Sequence, residues 1–268
     1  MITFFFALSV FLYSLATFFY PPLVFGKPIP KITPKLFLKF ALFFHTLYIG
    51  ALVLVHGALP HGTLIFSTWL MVLLFIYLET RFRLESLGMF VSPLAFAGLS
   101  YAYTFSFKNP SQLSFAGVWA KVHLPFIFSS YALLFLATAS SIIYLLQEKT
   151  LKEKNKHGLF LRFPSLELAD TISYNLVIIG FPLLTLGLIA GILWQRSLTS
   201  PSNKSWDPKV VWAIFTWVIY LGYLNCRSVL NWKGKKSAYL LVFGFVVIVI
   251  GLFGVQHFLI QAASIHSP

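Results

Sequence analysis

Apolar runs of about 20 residues recur from one end of this chain to the other, separated by short segments that carry most of its charge. A bilayer hydrocarbon core is roughly 30 Å thick, and about 20 residues of helix cross it at 1.5 Å each. In lipid the backbone polar groups must be satisfied within the protein, which a helix does inside one segment. The recurrence therefore points to a polytopic helical membrane protein. The chain is 58% hydrophobic and 10% charged, whereas soluble domains carry about 25% charged residues.

Breakers and charges divide the sequence into helices near 2–20, 36–56, 64–80, 86–106, 120–147, 166–195, 209–229 and 237–260. The expected fold is an all-α integral membrane protein of about eight transmembrane helices, forming one polytopic domain over residues 1–268. Pro21-Pro22 is expected to stop the first helix, and Lys27 to Pro34 to form a stiff polar turn. The longest polar connection, Glu148 to Pro164, reads as a charged hairpin, with no room for a soluble domain. Ser165 is a candidate N-cap for the sixth helix. Glu167 and Asp170 follow in its first turn, where a carboxylate contributes about 0.3–1 kcal/mol. The first run follows Met1 without a basic leader or a small-residue cleavage site, so it is expected to be a retained helix.

The formal charge of +13 would suit nucleic acid in a soluble protein, but here the basic residues sit between apolar runs, where they orient helices. No nucleic-acid partner is expected. One set of connections holds Lys27, Lys31, Lys35, Lys39, Arg81, Arg83, Lys149, Lys152, Lys154, Lys156, Arg162, Arg227, Lys233, Lys235 and Lys236. The alternate set holds only Lys108, Lys121, Arg196, Lys204 and Lys209. This bias puts the first set in the cytoplasm and both termini outside, in a bacterial-type inner membrane or its equivalent.

Acidic residues are almost absent from the helix interiors, which disfavours a carboxylate-based proton pump or cation transporter. Histidines are the candidates for chemistry. His45 lies mid-span in the second helix, where an imidazole needs a partner: a metal centre or a hydrogen bond to a neighbouring helix. By the expected topology His123, His266, His56, His61 and His257 share the outer side, while His157 lies in the cytoplasmic hairpin as a solvated residue. Lone Cys226 has no intrachain partner for a disulfide and reads as a small packing residue. The outer connection before the seventh helix carries Lys204, Trp206, Asp207 and Lys209, with Trp212 and Trp217 following. These aromatics are either an interfacial belt or a platform for a flat, apolar, anionic ring.

Several segments, in order, carry a resemblance. They are Phe44-His45-Thr46-Leu47; Arg83-Leu84-Glu85-Ser86-Leu87-Gly88 with Ser92-Pro93-Leu94-Ala95-Phe96; Val122-His123-Leu124; and Tyr144-Leu145-Leu146-Gln147-Glu148-Lys149. Further on come Pro164-Ser165-Leu166-Glu167 with Asp170 and Tyr174, Gly180-Phe181-Pro182-Leu183-Leu184-Thr185-Leu186-Gly187, and Ser205-Trp206-Asp207-Pro208-Lys209 with Trp212-Ala213. Together they resemble the cytochrome c assembly family of CcsA and HemX-like membrane proteins, relatives of CcmC.

That resemblance implies a haem-handling subunit of cytochrome c maturation, which presents haem to apocytochrome c outside the cytoplasm. It also implies a second membrane subunit of the ResB/CcsB type, so that the chain is at most part of a holocytochrome c synthase. By resemblance His45 is an intramembrane haem ligand, and Trp206 and Asp207 belong to an outer Trp-rich segment flanked by His123 and His266, with His257 as a rival to His266. No catalytic residue is implied. The chain departs from the family pattern where Lys204 replaces a Trp and Val210 a Glu, and it has no Trp-Gly between Trp194 and Trp206. These departures favour a second reading, a HemX-like regulator or scaffold of tetrapyrrole synthesis without haem attachment.

Overall fold

The computed structural model describes residues 2–24, 32–56, 62–82, 84–108, 118–152, 164–198 and 208–265. Within them the chain forms eight α-helices: α1 (Ile2–Val24), α2 (Ile32–His56), α3 (Gly62–Phe82), α4 (Gly88–Lys108), α5 (Val118–Lys152), α6 (Leu166–Leu198), α7 (Pro208–Ser228) and α8 (Lys235–Ile265). One turn of 3-10 helix, Glu85–Leu87, leads into α4, and no strand occurs among the described residues. By length and composition α1, α2, α3, α5, α6 and α7 each hold a stretch fit to cross a membrane. At 21 and 31 residues, α4 and α8 are also long enough for roughly 30 Å of hydrocarbon. Large apolar side chains point outward, among them Phe4, Phe18 and Leu54 at 61%, 71% and 86% exposure. Such a surface is stable against lipid tails and a liability in water. The protein is a helical membrane protein.

The helix ends differ from expectation in three places: α2 begins at Ile32, so Ile32 to Pro34 are helical and not part of a turn, α5 runs on to Lys152 into the expected hairpin, and α1 passes its prolines. Pro21 and Pro22 do not stop α1, which continues to Val24. A proline deletes one intrahelical N–H and crowds the carbonyl four residues back, but in the last turn little helix remains to be disrupted. Pro34 sits in the first turn of α2, where its missing N–H has no helical partner to lose.

The chain divides into two compact units. The first comprises residues 1–114 and 145–169, and the second residues 115–144 and 170–268.

In the first unit α1 packs on α2 and α4, and α3 on α4. Buried Tyr13, Tyr20, Leu38 and Phe75 fill its interior. The segment Leu84 to Gly88 has a structural purpose there. A Cβ on Gly88 would lie 2.1 Å from the Tyr20 ring, so only glycine lets α4 begin against that tyrosine. Tyr20 then donates its hydroxyl to Glu79 Oε1 at 3.1 Å. Lys35 pairs with Glu85 at 2.9 Å and reaches to within 4.0 Å of Glu79. Glu79 is 3% exposed inside α3, one acid in a helix interior that composition alone left unplaced. Its partners compensate the desolvation that would otherwise make a carboxylate untenable.

In the second unit a seam of small residues brings α5 and α6 together. Ser130 Oγ donates to the Gly180 carbonyl at 2.8 Å, and Ser141 Oγ to Ser173 Oγ at 3.1 Å. Such hydrogen bonds and small side chains hold membrane helices where no hydrophobic driving force separates lipid from protein. A Cβ on Gly187 would meet the Ile127 backbone nitrogen at 3.0 Å, so the two backbones nearly touch. Ser165, which belongs to the first unit, caps α6 as expected, its Oγ accepting from Leu168 N at 3.2 Å.

Asp170 lies beyond the first turn of α6, where Glu167 is the acid, and it serves as a tertiary anchor and not as a helix-end charge. Its carboxylate accepts from both terminal nitrogens of Arg227, at 3.0 and 2.5 Å, and from Gly234 N at 3.1 Å. Arg227 also donates to the Trp232 carbonyl at 3.0 Å and lies 5.0 Å from the centre of the Tyr174 ring. Gly234 holds φ at 66°, a left-handed conformation natural to glycine, and a Cβ there would press to 2.5 Å on the Tyr144 hydroxyl. One carboxylate thereby ties α6, the end of α7 and the turn into α8.

Candidate functional site

Among the seven histidines, only His45 and His123 have described side chains. His45 lies in the middle of α2, thirteen residues after Ile32 and eleven before His56, and is 0% exposed. Water is not available to it. Its Nδ1 is 3.1 Å from the hydroxyl of Tyr13, which comes from α1 and is itself 0% exposed. The two rings meet edge to face at 5.9 Å and 83°, and the ring of Tyr48, about one turn along α2, lies 6.4 Å from that of His45. Nε2 is buried and has no hydrogen-bond partner among the described residues. A neighbouring helix thus satisfies one nitrogen of this imidazole and leaves the other unpaired. A buried polar atom without a partner loses about 1–3 kcal/mol of hydration, so its persistence calls for a reason.

His123 sits one turn into α5 and is partly buried. Its Nδ1 is 2.7 Å from the Gly187 carbonyl on α6. A carbonyl only accepts, so Nδ1 carries the proton and Nε2 keeps its lone pair, which is the tautomer a metal requires. Gly191 makes room for the ring, since a Cβ there would stand 2.8 Å from His123 Cε1 and Nδ1.

This imidazole lines a cavity of about 460 Å³, within the roughly 300–1,000 Å³ of small-molecule pockets. Helical spacing builds its walls. His123, Ile127 and Tyr131 recur every four residues on α5, while Leu188, Gly191, Ile192 and Gln195 share a face of α6. From α7 come Lys209, Trp212, Ala213 and Thr216, and from α8 Ile248 and Gly251. Trp194 also lines the space, its ring centre 5.9 Å from that of His123, and its buried Nε1 has no partner among the described residues. Trp212 Nε1 donates to the Val247 carbonyl at 2.9 Å, which fixes the indole as a wall. The cavity wall is thus largely aromatic and apolar, and its polar side chains are those of His123, Tyr131, Trp194, Gln195, Lys209, Trp212 and Thr216.

Of the residues expected at this site, the structure brings together His123, Lys209 and Trp212. Trp217 is not in the cavity wall; it donates to Thr185 Oγ1 at 2.8 Å and stacks on Phe181. Lys204, Trp206, Asp207 and His266 lie outside the described residues, as do His61 and His157. The side chain of His257, on α8, is likewise outside them. Among the described residues no three His, Cys, Asp or Glu side chains gather to hold a bare metal ion. Tyr13, Tyr131 and Gly191 were missed by sequence reasoning. For the last two helical spacing was a usable signal, Tyr131 lying eight residues after His123 and Gly191 four after Gly187.

Fold and site together define a polytopic helical membrane protein that presents histidines along its helices, one deep in its own unit and one on a ligand-sized cavity. The chain belongs to the cytochrome c assembly protein family, whose model matches residues 56–261. The cytochrome c biogenesis protein CcsA of Guillardia theta is 32% identical over 79% of this chain and 78% of its own length. CcsA of Chlorella vulgaris is 32% identical over 73% and 72%, and CcsA of Porphyra purpurea 28% over 73% and 74%. The match to the family model includes His123 and the cavity but begins after His45.

Proposed function

We propose that this chain is the haem-handling membrane subunit of cytochrome c maturation, holding haem and presenting it for attachment to apocytochrome c. The observation that carries the reading is the Nε2 of His45, buried in the middle of a membrane helix with no hydrogen-bond partner among the described residues. Neutral imidazole is a standard axial ligand of haem iron, and a partner on the far ring nitrogen is the usual second-shell arrangement. When bound, haem supplies an iron that takes axial ligands and vinyl groups that react with cysteine thiols.

The residues fit that group in chemistry. In the first unit His45 would offer Nε2; separately, in the second, His123 would offer Nε2, Lys209 would neutralise a propionate, and Trp194 and Trp212 would flank a ring. His45 is fully buried, so loading there requires neighbouring side chains to move aside. Trp206, Asp207 and His266 or His257 would complete the site around His123. The proposed partners are a second membrane subunit of the ResB/CcsB type and apocytochrome c, in a cell inner membrane or its equivalent. The proposed orientation puts both termini outside; reporters fused after Lys154 and Lys235 should read as cytoplasmic, and those after Pro201 and Pro268 as external. Reversed signals at both 154 and 201 contradict it.

A HemX-like regulator of tetrapyrrole synthesis is the second reading, favoured by Lys204 and Val210 where the family carries Trp and Glu. Deleting the gene separates the two. The maturation reading expects covalently bound haem to vanish from c-type cytochromes while total cellular haem is kept. Normal c-type cytochromes with altered total haem would instead establish the regulator.

A further inference from the structure

The two described imidazoles differ in what holds their Nδ1, and the difference has chemical weight. At His123 a backbone carbonyl fixes the proton on Nδ1. At His45 the partner is the hydroxyl of Tyr13, which both donates and accepts. With Tyr13 donating to Nδ1, the proton of His45 sits on Nε2 and that nitrogen is closed to a metal. With Tyr13 accepting, the proton sits on Nδ1 and Nε2 offers its lone pair. Neither state pairs every atom, because Nε2 has no hydrogen-bond partner among the described residues. Coordination at Nε2 removes that deficit and requires the second state.

We infer that Tyr13 is the positioning residue for His45: its hydroxyl turns from donor to acceptor on loading, selects the Nδ1–H tautomer and strengthens Nε2 as an iron ligand. This rests on the reading of His45 as a haem ligand and adds to it the residue that governs its state. Tyr13 reaches His45 from a different helix, both side chains are fully buried, and the rings meet edge to face at 5.9 Å, which restricts the hydroxyl to the neighbourhood of Nδ1. Removing such second-shell partners typically weakens metal affinity about 10–100-fold.

The test uses the full chain in detergent in a His123→Ala background, titrated with ferric haem and then reduced. Two readouts are taken, the dissociation constant and the iron–histidine stretching band in the resonance Raman spectrum. Tyr13→Phe keeps the ring and should weaken binding by about 10–100-fold and move the band to lower frequency. Difluorotyrosine at position 13 keeps shape and hydroxyl but makes a poorer acceptor, so it should give a smaller shift in the same direction; a merely structural role would leave the band alone. If Tyr13→Phe does not accumulate, the fluorinated protein carries the test by itself. An unshifted band and unchanged affinity overturn the role of Tyr13. His45→Ala in the same background tells the two failures apart: haem that still binds with the parent spectrum there overturns the ligand reading itself.

Discussion

His45→Ala should abolish haem that co-purifies with the assembled complex, and added imidazole should restore part of it by entering the vacated coordination position. The substitution removes the fully buried imidazole of α2 and with it the one Nε2 in that unit with no protein partner among the described residues. Water is no substitute at that depth, whereas free imidazole reproduces the ligand atom. The Tyr13 hydroxyl remains in place to accept from the nitrogen of the added ring. His123→Ala should have a smaller effect on retained haem, because a site beside an open cavity offers water and neighbouring groups as alternatives. Measurement is by pyridine haemochrome on equal amounts of purified complex. Parent-level haem with an unshifted spectrum in the His45→Ala complex would transfer the ligand assignment to His123.

The largest effect on stability is expected at the Asp170 node. Asp170→Ala should lower stability by about 3–5 kcal/mol, since it leaves the guanidinium of Arg227 in a site where its side chain is 7% exposed. The double variant Asp170→Ala with Arg227→Ala should lose less than the sum of the single changes, as expected for residues in direct contact. Arg227→Lys should not rescue, because a single ammonium cannot reproduce the paired bonds to Oδ1 and Oδ2 together with the bond to the Trp232 carbonyl. Unfolding in mixed micelles, followed by loss of helical circular dichroism, gives the comparison. Additive losses in the double variant would show that the two residues act independently.

The helices were legible because the bilayer imposes one length and one polarity on every crossing, so each apolar run between charges became a helix. Their ends were less so: Pro21-Pro22 reads as a stop, yet α1 passes through it because so few bonds remain beyond. His45 was legible by depth alone. Tyr13 was not, since it is one of many aromatics in an apolar run and only the packing of α1 on α2 singles it out. Asp170 read as a helix-end charge because its partner Arg227 is 57 residues away, a distance over which a sequence pattern carries no pairing information. Glu79 escaped for the same reason, with Tyr20 59 residues before it. The cavity was half legible. Lys209 and Trp212 stood out as charge and aromatics beside an outer loop, whereas Gly191 and Tyr131 matter for the space they leave or line.

The central claim is that this chain holds haem through a membrane histidine. Its most direct test is the absorption spectrum of the protein purified in detergent with its native partners, before and after reduction. The account predicts a Soret band that sharpens and shifts on reduction, with resolved α and β bands of a histidine-ligated haem, all lost in His45→Ala. A protein that stays free of haem, even when purified from cells supplied with excess haem and after direct titration with it, would contradict the account and favour the regulator reading.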